Sequence, residues 1–166
     1  MEIQIREALP EDFDGLGDVM FDAVHAPDSR YSKAQREAWV PAPRRGDVWV
    51  QRLNSQAVFL AEDTGRVVGF ISLMNDGYID FAYVKPAHQG CGVFRKLYCR
   101  LESLAVSKNI QRLWVHVSLN AETAFRAVGF TVERKEKVKI ESQWLERFKM
   151  KKQLTLVGEP VEKGKG

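Results

Sequence analysis

Apolar residues recur along this chain with two different periods. IQIREA (residues 3–8) alternates apolar and polar positions like a half-buried strand, and LWVHV (113–117) is a second short strand. In VFRKLYCRLESLAVSKN (93–109) the apolar residues instead follow helical spacing, with charged residues on the opposite side. PEDFDGLGDVMFDAVHA (10–26) begins with a proline and acids, and SKAQREAW (32–39) begins with a capping serine, so both are predicted helices. The pattern predicts a chain that mixes strands and helices.

Short turns divide the middle of the chain into three strands. AVFLAED, VVGFISLM and YIDFAYV lie between residues 57 and 84 and are separated by TGR and NDG, which favours an antiparallel meander. NAETAFRAVGF reads as a short helix ended by Gly129, and FTVERKEKVKI with ERFKMKKQL as a final hairpin. The predicted order is β α α β β β α β α β β, an α/β fold with a mixed, mostly antiparallel sheet and helices on both faces.

Length and composition are those of one ordinary globular domain. We expect a single domain over residues 1–156 and a frayed tail over 157–166, within a chain of 166 residues. The sequence has no apolar run near the roughly 18 residues of a membrane span and no signal-peptide pattern, so a cytoplasmic protein without membrane contact is expected. Two cysteines and three scattered histidines predict neither a disulfide framework nor a metal site.

A glycine-rich loop, HQGCGVF (88–94), joins a predicted strand to the basic helix that follows. Gly90 and Gly92 would let several backbone N–H groups turn toward one point, where the helix N-terminus carries a partial positive charge. A bound anion would also offset the placement of Arg95 and Lys96 in the first turn. The loop therefore predicts a phosphate seat, or else a tight turn that only shapes the chain. It matches neither a P-loop nor a dinucleotide-binding motif.

YVKP, HQGCGVF and the later N-x-x-x-x-F-x-x-x-GF together resemble the GCN5-related N-acetyltransferase (GNAT) superfamily, over residues 3–156. YSKAQREAWVP resembles a bacterial, largely uncharacterised subgroup of it. The family loop signature is Q/R-x-x-G-x-G/A, in which Gln89, Gly92 and Phe94 take the defined places and Phe94 departs from the small residue of the last. The resemblance implies acetyl transfer from acetyl-coenzyme A to an amine of a small molecule or peptide, with no metal.

The resemblance also implies which residues meet the cofactor. The loop would bind the pyrophosphate, the preceding strand would offer its backbone to the pantetheine arm, and an asparagine after the next strand would touch the cofactor. The expected cofactor-binding residues are Ala82, Tyr83, Val84, Gln89, Gly90, Cys91, Gly92, Val93, Phe94, Arg95, Asn120 and Phe125.

The chemistry requires a base for the amine more than an acid for the thiol. At pH 7, deprotonating a lysine-like amine costs about 4.6 kcal/mol, whereas the departing thiol favours its proton by about 2 kcal/mol. Asp80 is our first candidate base, because strict alternation places Tyr78, Asp80 and Ala82 on one strand face; the alternative is a solvated carboxylate. His116 is the second candidate, or else a structural histidine. Phe125 stands where many family members have an acidic tyrosine, which leaves Tyr83, Ser118 or water to protonate the thiolate, unless it leaves unprotonated.

Several further residues admit two interpretations. Tyr31, Trp39 and Trp49 either cradle an acceptor or pack a short helix on the core. Cys91 is either a nucleophile at a helix N-terminus or a loop residue, and its lack of an assignable histidine partner favours the second.

Two other function classes compete with the enzyme. The Phe94 and Phe125 departures are also consistent with an acetyl-coenzyme A binding module that has lost turnover. The basic strands ERKEKVKI and RFKMKK make nucleic-acid binding a further candidate function. Their interleaved glutamates instead favour a solvated sheet face. A homodimer paired through the C-terminal strands is left open.

Overall fold

The computed structural model describes residues 1–154, which form one seven-stranded sheet and five α-helices. The expected tail, 157–166, and the last two residues of the expected domain lie outside the described residues. In chain order the elements are β1 Ile3–Glu7, α1 Phe13–Val24, α2 Lys33–Trp39, α3 Asp47–Asn54, β2 Ala57–Asp63, β3 Arg66–Leu73, β4 Tyr78–Val84, α4 Val93–Ser107, β5 Arg112–Ser118, α5 Glu122–Ala127, β6 Thr131–Ile140 and β7 Gln143–Gln153.

The strands lie in the order β1-β2-β3-β4-β5-β7-β6, and every neighbouring pair is antiparallel except β4–β5. This confirms the predicted mixed sheet. The helix α3 was not predicted. It has eight residues, of which Trp49 and Leu53 are buried one helical turn apart while Val48 and Val50 are exposed. The apolar residues therefore do not mark a single face in the sequence.

Helices cover both faces of the sheet, as expected. Leu97 and Leu101 of α4 belong to one buried cluster, together with Ile71 of β3. Leu16 of α1 and Trp49 of α3 belong to the cluster on the opposite face. Both clusters consist of buried apolar side chains. Burial of apolar surface is the main favourable term in the free energy of folding.

A bulge in β4 corrects the predicted alternation of that strand, which put Ile79, Phe81 and Tyr83 on one face. Asp80 and Phe81 together stand opposite the single residue Ser72 of β3. The Phe81 N–H donates a hydrogen bond to the buried Ser72 hydroxyl, 3.0 Å away. Ile79 consequently packs on the α4 side, whereas Phe81 and Tyr83 pack on the α1 and α3 side. An extra residue in one strand shifts the side-chain phase by one position.

The strands β4 and β5 pair over a short length only. Tyr78 lies opposite Trp114 and Ile79 opposite Val115, and no later residue of β4 has a partner on β5 in the described chain. Beyond this point the two strands diverge. The divergence opens the sheet at its centre and leaves one backbone edge of β4 available to another molecule.

Candidate active site

A cleft of about 640 Å³ lies where β4 and β5 diverge. It extends from the end of β4 across the glycine loop to α5, with α1 and Trp39 on the other side. Eleven of the twelve expected cofactor-binding residues line it, and these are Ala82, Tyr83, Val84, Gln89, Gly90, Gly92, Val93, Phe94, Arg95, Asn120 and Phe125.

The glycine loop has the backbone geometry expected of an anion seat. Gly90 and Gly92 have φ values of 73° and 83°, the left-handed region that other residues rarely adopt, and Gly92 caps α4. No other atom lies within 4 Å of the point where a side chain would begin at either glycine. Among residues 1–154, the N–H groups of positions 92–95 have no hydrogen-bond acceptor. Free N–H groups and open space at the start of a 15-residue helix fit a phosphate group.

Side chains around the loop hold it in place. The Gln89 side-chain amide donates to the Val84 carbonyl at 3.0 Å, which ties the loop to the end of β4. Arg95 lines the cleft and donates to the Ala127 carbonyl at 3.2 Å. Cys91 is the one expected cofactor residue outside the cleft lining. Its thiol is exposed and lies 3.5 Å from the Gln89 carbonyl, so the described contacts give it no histidine partner.

Two phenylalanines form the apolar wall beside the loop. Phe94, the departure from the family signature, packs edge-on against Phe125, with ring centroids 4.9 Å apart. Phe125 is 2% exposed and has no hydroxyl to offer. Asn120 lines the cleft, but its amide is already engaged. It accepts from the Arg30 N–H at 2.9 Å and donates to the Ser29 hydroxyl at 3.1 Å.

Tyr83 brings a phenol to the cleft. Its side chain is half-buried, and among residues 1–154 its hydroxyl has no hydrogen-bond partner. Burial, reinforced by the negative charge of Asp80, raises the pKa of Tyr83 above its usual value. The group therefore stays protonated near neutral pH and can donate a proton.

The first candidate base, Asp80, is engaged in a network outside the cleft lining. Arg52 of α3 donates to both carboxylate oxygens, at 2.6 and 2.8 Å, and Gln56 donates at 2.9 Å. The Asp80 side chain is 6% exposed. Its hydrogen bond is also the leading cause that raises the pKa of Arg52. Three donors therefore occupy most of the lone-pair sites of this carboxylate.

The second candidate base, His116, lies in a chain of polar contacts on β5. Its Nδ1 is 2.9 Å from the Tyr78 hydroxyl, and its Nε2 is 3.3 Å from a carboxylate oxygen of Glu136. Burial first, and then the charge of Arg147, lowers the pKa of His116. His116 is therefore neutral at pH 7. It does not line the cleft, but Ser118, two residues along β5, does.

The three aromatic residues flanking the first helices have different roles. Tyr31 is buried, and its hydroxyl donates to the Glu146 carbonyl at 2.6 Å and accepts from the Leu119 N–H at 2.9 Å. Trp49 is buried and donates to the Phe13 carbonyl at 2.8 Å. Both pack the core. Trp39 alone of the three lines the cleft, beside Tyr83.

A profile of the acetyltransferase (GNAT) domain family matches residues 27–154 of this sequence. The chain belongs to the GNAT acetyltransferase family. As a GNAT protein it is an acyltransferase, which confirms the relationship inferred from YVKP, HQGCGVF and the later GF pair.

Solved GNAT structures share the fold over nearly the whole chain. The GCN5-related N-acetyltransferase "Aminotransferase, Class-II" from Rhodopseudomonas palustris is 31% identical, with a TM-score of 0.86 over 93% of this chain and 97% of that one. The yncA protein from Salmonella typhimurium, solved with its cofactor acetyl-CoA, is 25% identical, with a TM-score of 0.65 over 98% and 99%. PaiA N-acetyltransferase from Thermoplasma acidophilum, in complex with coenzyme A, is 22% identical, with a TM-score of 0.73 over 93% and 100%. Among curated protein sequences, none matches significantly.

The basic C-terminal strands of this GNAT protein carry ion pairs across the sheet. Lys135 lies 2.7 Å from Glu146, and Lys149 lies 3.0 Å from Glu133. These ion pairs offset much of the positive charge that made nucleic-acid binding a candidate function. Residues 1–154 contain no cluster of three or more potential metal ligands. No helix in that range is long and apolar enough to cross a membrane.

Sequence reasoning missed several residues around this GNAT site. Arg52 lies on the unpredicted helix α3, and its contact with Asp80 spans 28 positions. Tyr78 and Glu136 come close to His116 only in the folded chain. Trp39 is the exception, since its aromatic string already indicates either an acceptor pocket or packing of a short helix. The other three carry no signal in the sequence, because their contact partners lie 20 or more positions away.

Proposed function

We propose that this GNAT protein transfers the acetyl group of acetyl-coenzyme A to an amine of a small molecule or peptide. The observation that carries the proposal is the joining of an open, N–H-rich glycine loop to the free edge of β4 in one cleft. A pyrophosphate requires the first and an extended amide-bearing arm suits the second. The presence of acetyl-CoA in the related yncA protein supports this choice of co-substrate.

Separate parts of the cleft would hold separate parts of the co-substrate. The N–H groups at the start of α4 would bind the pyrophosphate, with Arg95 beside them. The β4 edge at residues 82–84 would align the pantetheine arm, and Phe94 with Phe125 would exclude water along it. Asn120 and Cys91 remain predicted contacts. When bound, acetyl-coenzyme A supplies the thioester carbonyl that the amine attacks.

The chain's own side chains would manage two protons. The amine must lose a proton as its nitrogen bonds to the carbonyl carbon, and the departing sulfur gains one as the C–S bond breaks. We assign the base to His116, which is neutral, rather than to Asp80, whose oxygens accept from Arg52 and Gln56. Tyr83 would protonate the sulfur, since its phenol lines the cleft and keeps its proton.

A binding measurement followed by an amine panel tests the proposal. Thermal unfolding would be followed with acetyl-coenzyme A, coenzyme A, ATP and a salt control. Ligand at 100 times its dissociation constant adds about 2.7 kcal/mol, roughly 5–10 °C for a domain of this size. We expect a selective rise with the two coenzyme A species. No rise with either would remove the co-substrate and overturn the proposal.

Turnover would then be followed as thiol release with n-butylamine, benzylamine and L-phenylalanine amide. Acetylation of at least one of these amines is the expected result. Selective binding without any thiol release would instead support the second candidate, a coenzyme A binding module without turnover, which the replacement of a tyrosine by Phe125 favours. A sedimentation measurement on the same sample would decide between a monomer and a homodimer, which the sequence leaves open.

A further inference from the structure

Three side chains from three strands form a row of polar contacts on one sheet face. Tyr78 of β4 and His116 of β5 are 2.9 Å apart through the phenol oxygen and Nδ1. His116 Nε2 lies 3.3 Å from an oxygen of Glu136 on β6. Arg147 and Arg134 donate to that carboxylate at 2.9 and 3.0 Å. The carboxylate is thus held on both oxygens.

The ionisation states of Glu136 and His116 determine which nitrogen of His116 carries the proton. Burial would raise the pKa of Glu136, but the hydrogen bonds from Arg134 and Arg147 outweigh it and lower that pKa, so Glu136 is ionised. A lone pair on Nε2 would face the negative carboxylate at 3.3 Å, so the neutral His116 carries its proton on Nε2. Its Nδ1 then carries the lone pair and accepts from the Tyr78 hydroxyl. The lone pairs of the Tyr78 oxygen are left free to accept from another molecule.

The row of Tyr78, His116 and Glu136 lies on the same side of the sheet as the cleft residues that face the acceptor. Ile79 packs on the α4 side, so its neighbour Tyr78 points to the other side, with Tyr83. On β5, Val115 and Val117 pack on the α4 side, so His116 and the cleft residue Ser118 point away from it. Tyr78 is close enough to influence the pKa of Tyr83. A group bound beside Tyr83 is therefore on the same surface as Tyr78.

We propose that Tyr78 accepts the hydrogen bond of the acceptor amine and relays its proton to His116, with Glu136 as the positioning residue for the imidazole. This inference rests on the proposed acetyl transfer and adds the route of the amine proton. As the ammonium N–H bond breaks, its proton bonds to the Tyr78 oxygen while the phenol proton moves to Nδ1. The products are a neutral amine, an unchanged phenol and an imidazolium whose Nε2 lies 3.3 Å from the Glu136 carboxylate. Charge and protons balance without a further reactant.

Among the charges around the relay, only that of Glu136 favours proton transfer to His116. The groups that face His116 are Arg147 and Lys149 of β7 and Arg134 and Glu136 of β6. Those that face Tyr78 also include Asp80 and, from α3, Arg52. Glu136 is the contact that favours the imidazolium, since the other charges facing His116 are cationic. Its removal should therefore make His116 a weaker base without breaking the Tyr78 contact.

Nitrogen NMR of the whole protein tests the proton positions without any substrate. With ¹⁵N-labelled histidine at neutral pH, His116 should show a protonated Nε2 and an unprotonated Nδ1. The signal would be assigned with His116→Asn. A protonated Nδ1 would overturn the inference, because Tyr78 could not then donate to it.

Kinetics with two nucleophiles test the relay itself. With the fastest amine of the panel, Tyr78→Phe should lower kcat/KM about 100-fold, the typical share of a general base. With hydroxylamine, which is neutral at pH 7 and needs no proton removed first, the same variant should stay within about threefold of the wild type. Equal rates for Tyr78→Phe and the wild type with both nucleophiles would overturn the relay.

Glu136→Gln separates positioning from folding. It should move the acid limb of the kcat/KM profile to lower pH, because His116 loses the charge that favours its protonation. Glu146→Gln is the matched control. Glu146 is on the neighbouring strand β7 and pairs with Lys135, and neither is among the charges that face His116, so its loss should leave the limb in place. An unmoved limb in Glu136→Gln would overturn the positioning role. If the wild type released no thiol with any panel amine or with hydroxylamine, the proposed function would fail, and the NMR result alone would decide the proton positions.

Discussion

Tyr83 and Ser118 bring hydroxyl groups to the cleft wall, and Tyr83 has the better chemistry for the departing thiolate. Its hydroxyl makes no hydrogen bond to the described residues, and burial raises its pKa above the usual value. It therefore remains protonated over the whole range, about pH 6 to 9, in which a thiolate needs a proton. Phe125, at the position where a family tyrosine is common, is a buried wall residue.

Tyr83→Phe should lower kcat about 10- to 30-fold at pH 7. The thiol favours its proton by only about 2 kcal/mol at that pH, which limits the loss to about 30-fold. Steady-state thiol release measures the effect. Tyr98→Phe is the control, since Tyr98 is a buried tyrosine of α4 outside the cleft lining. A Tyr83→Phe enzyme as fast as Tyr98→Phe would show that the thiolate leaves without this acid.

Asp80→Asn should weaken the fold more than the chemistry. Removing the carboxylate charge weakens the hydrogen bonds from Arg52 and Gln56, at a cost of about 1–3 kcal/mol in the free energy of unfolding. Urea unfolding measures this loss, and the pH–rate profile should keep its acid limb. His116→Asn should lose that limb. The opposite result, a limb lost only in Asp80→Asn, would return the base to Asp80.

At the level of elements, the junction between β4 and α4 determines how a cofactor is held. Gly92 ends the loop in the left-handed region, so α4 begins with its N–H groups directed into the cleft. Gln89 ties the same loop to the end of β4. The strand edge and the helix N-terminus are thus fixed relative to each other before any ligand binds, which lowers the entropy cost of binding.

Gly92→Ala should destabilise the protein and weaken acetyl-coenzyme A binding. A φ of 83° costs a residue with a Cβ about 1–2 kcal/mol, and relief of that strain would turn the N–H groups away. Gly15→Ala is the opposite case. Gly15 lies in α1, and a Cβ there would meet only Val67 at an ordinary 3.9 Å, so helix propensity should add up to about 1 kcal/mol. Thermal unfolding and titration calorimetry measure both. Unchanged affinity in Gly92→Ala would contradict a role for the loop geometry.

At the scale of the whole molecule, ion pairs connect surface segments that lie outside the hydrophobic clusters. Arg6 of β1 donates to both oxygens of Asp12, each at 2.8 Å, and ties the first strand to the start of α1. The pairs of β6 with β7 do the same at the other end of the sheet. Exposed pairs of this kind contribute little individually, but they give stability a common dependence on pH.

The free energy of unfolding should therefore fall as the pH drops below about 4.5. Side-chain hydrogen bonds lower the pKa of four of these carboxyls below the ordinary values, 3.8 for Asp and 4.5 for Glu, although burial opposes the shift. At Glu136 burial is the largest influence and raises the pKa, but hydrogen bonds from Arg134 and Arg147 outweigh it, so that pKa is also lowered. The fold favours the ionised forms, so their contribution is complete above the ordinary values and is lost as the pH falls through the lower folded ones. Urea unfolding between pH 3 and pH 7 measures the slope, and high salt should reduce it. A flat profile would contradict the pairing. The groups concerned are Asp12, Asp63, Glu133, Glu136 and Glu146.

The sequence by itself determined the element order apart from α3, the glycine loop and the family. Strand and helix periods, turn residues and the string HQGCGVF are local features, readable within a few residues of one another. The short helix α3 was not predicted, because its buried residues Trp49 and Leu53 are interspersed with exposed apolar residues.

Only the tertiary structure decided the phase of β4 and the partners of the candidate bases. The bulge at Asp80 and Phe81 depends on Ser72 of the neighbouring strand, which no periodicity within β4 encodes. Arg52 reaches Asp80 over 28 positions, and Tyr78 reaches His116 over 38. A side chain's reactivity depends on the donors, charges and solvent around it, and in this protein those come from strands and helices that meet only when the chain folds.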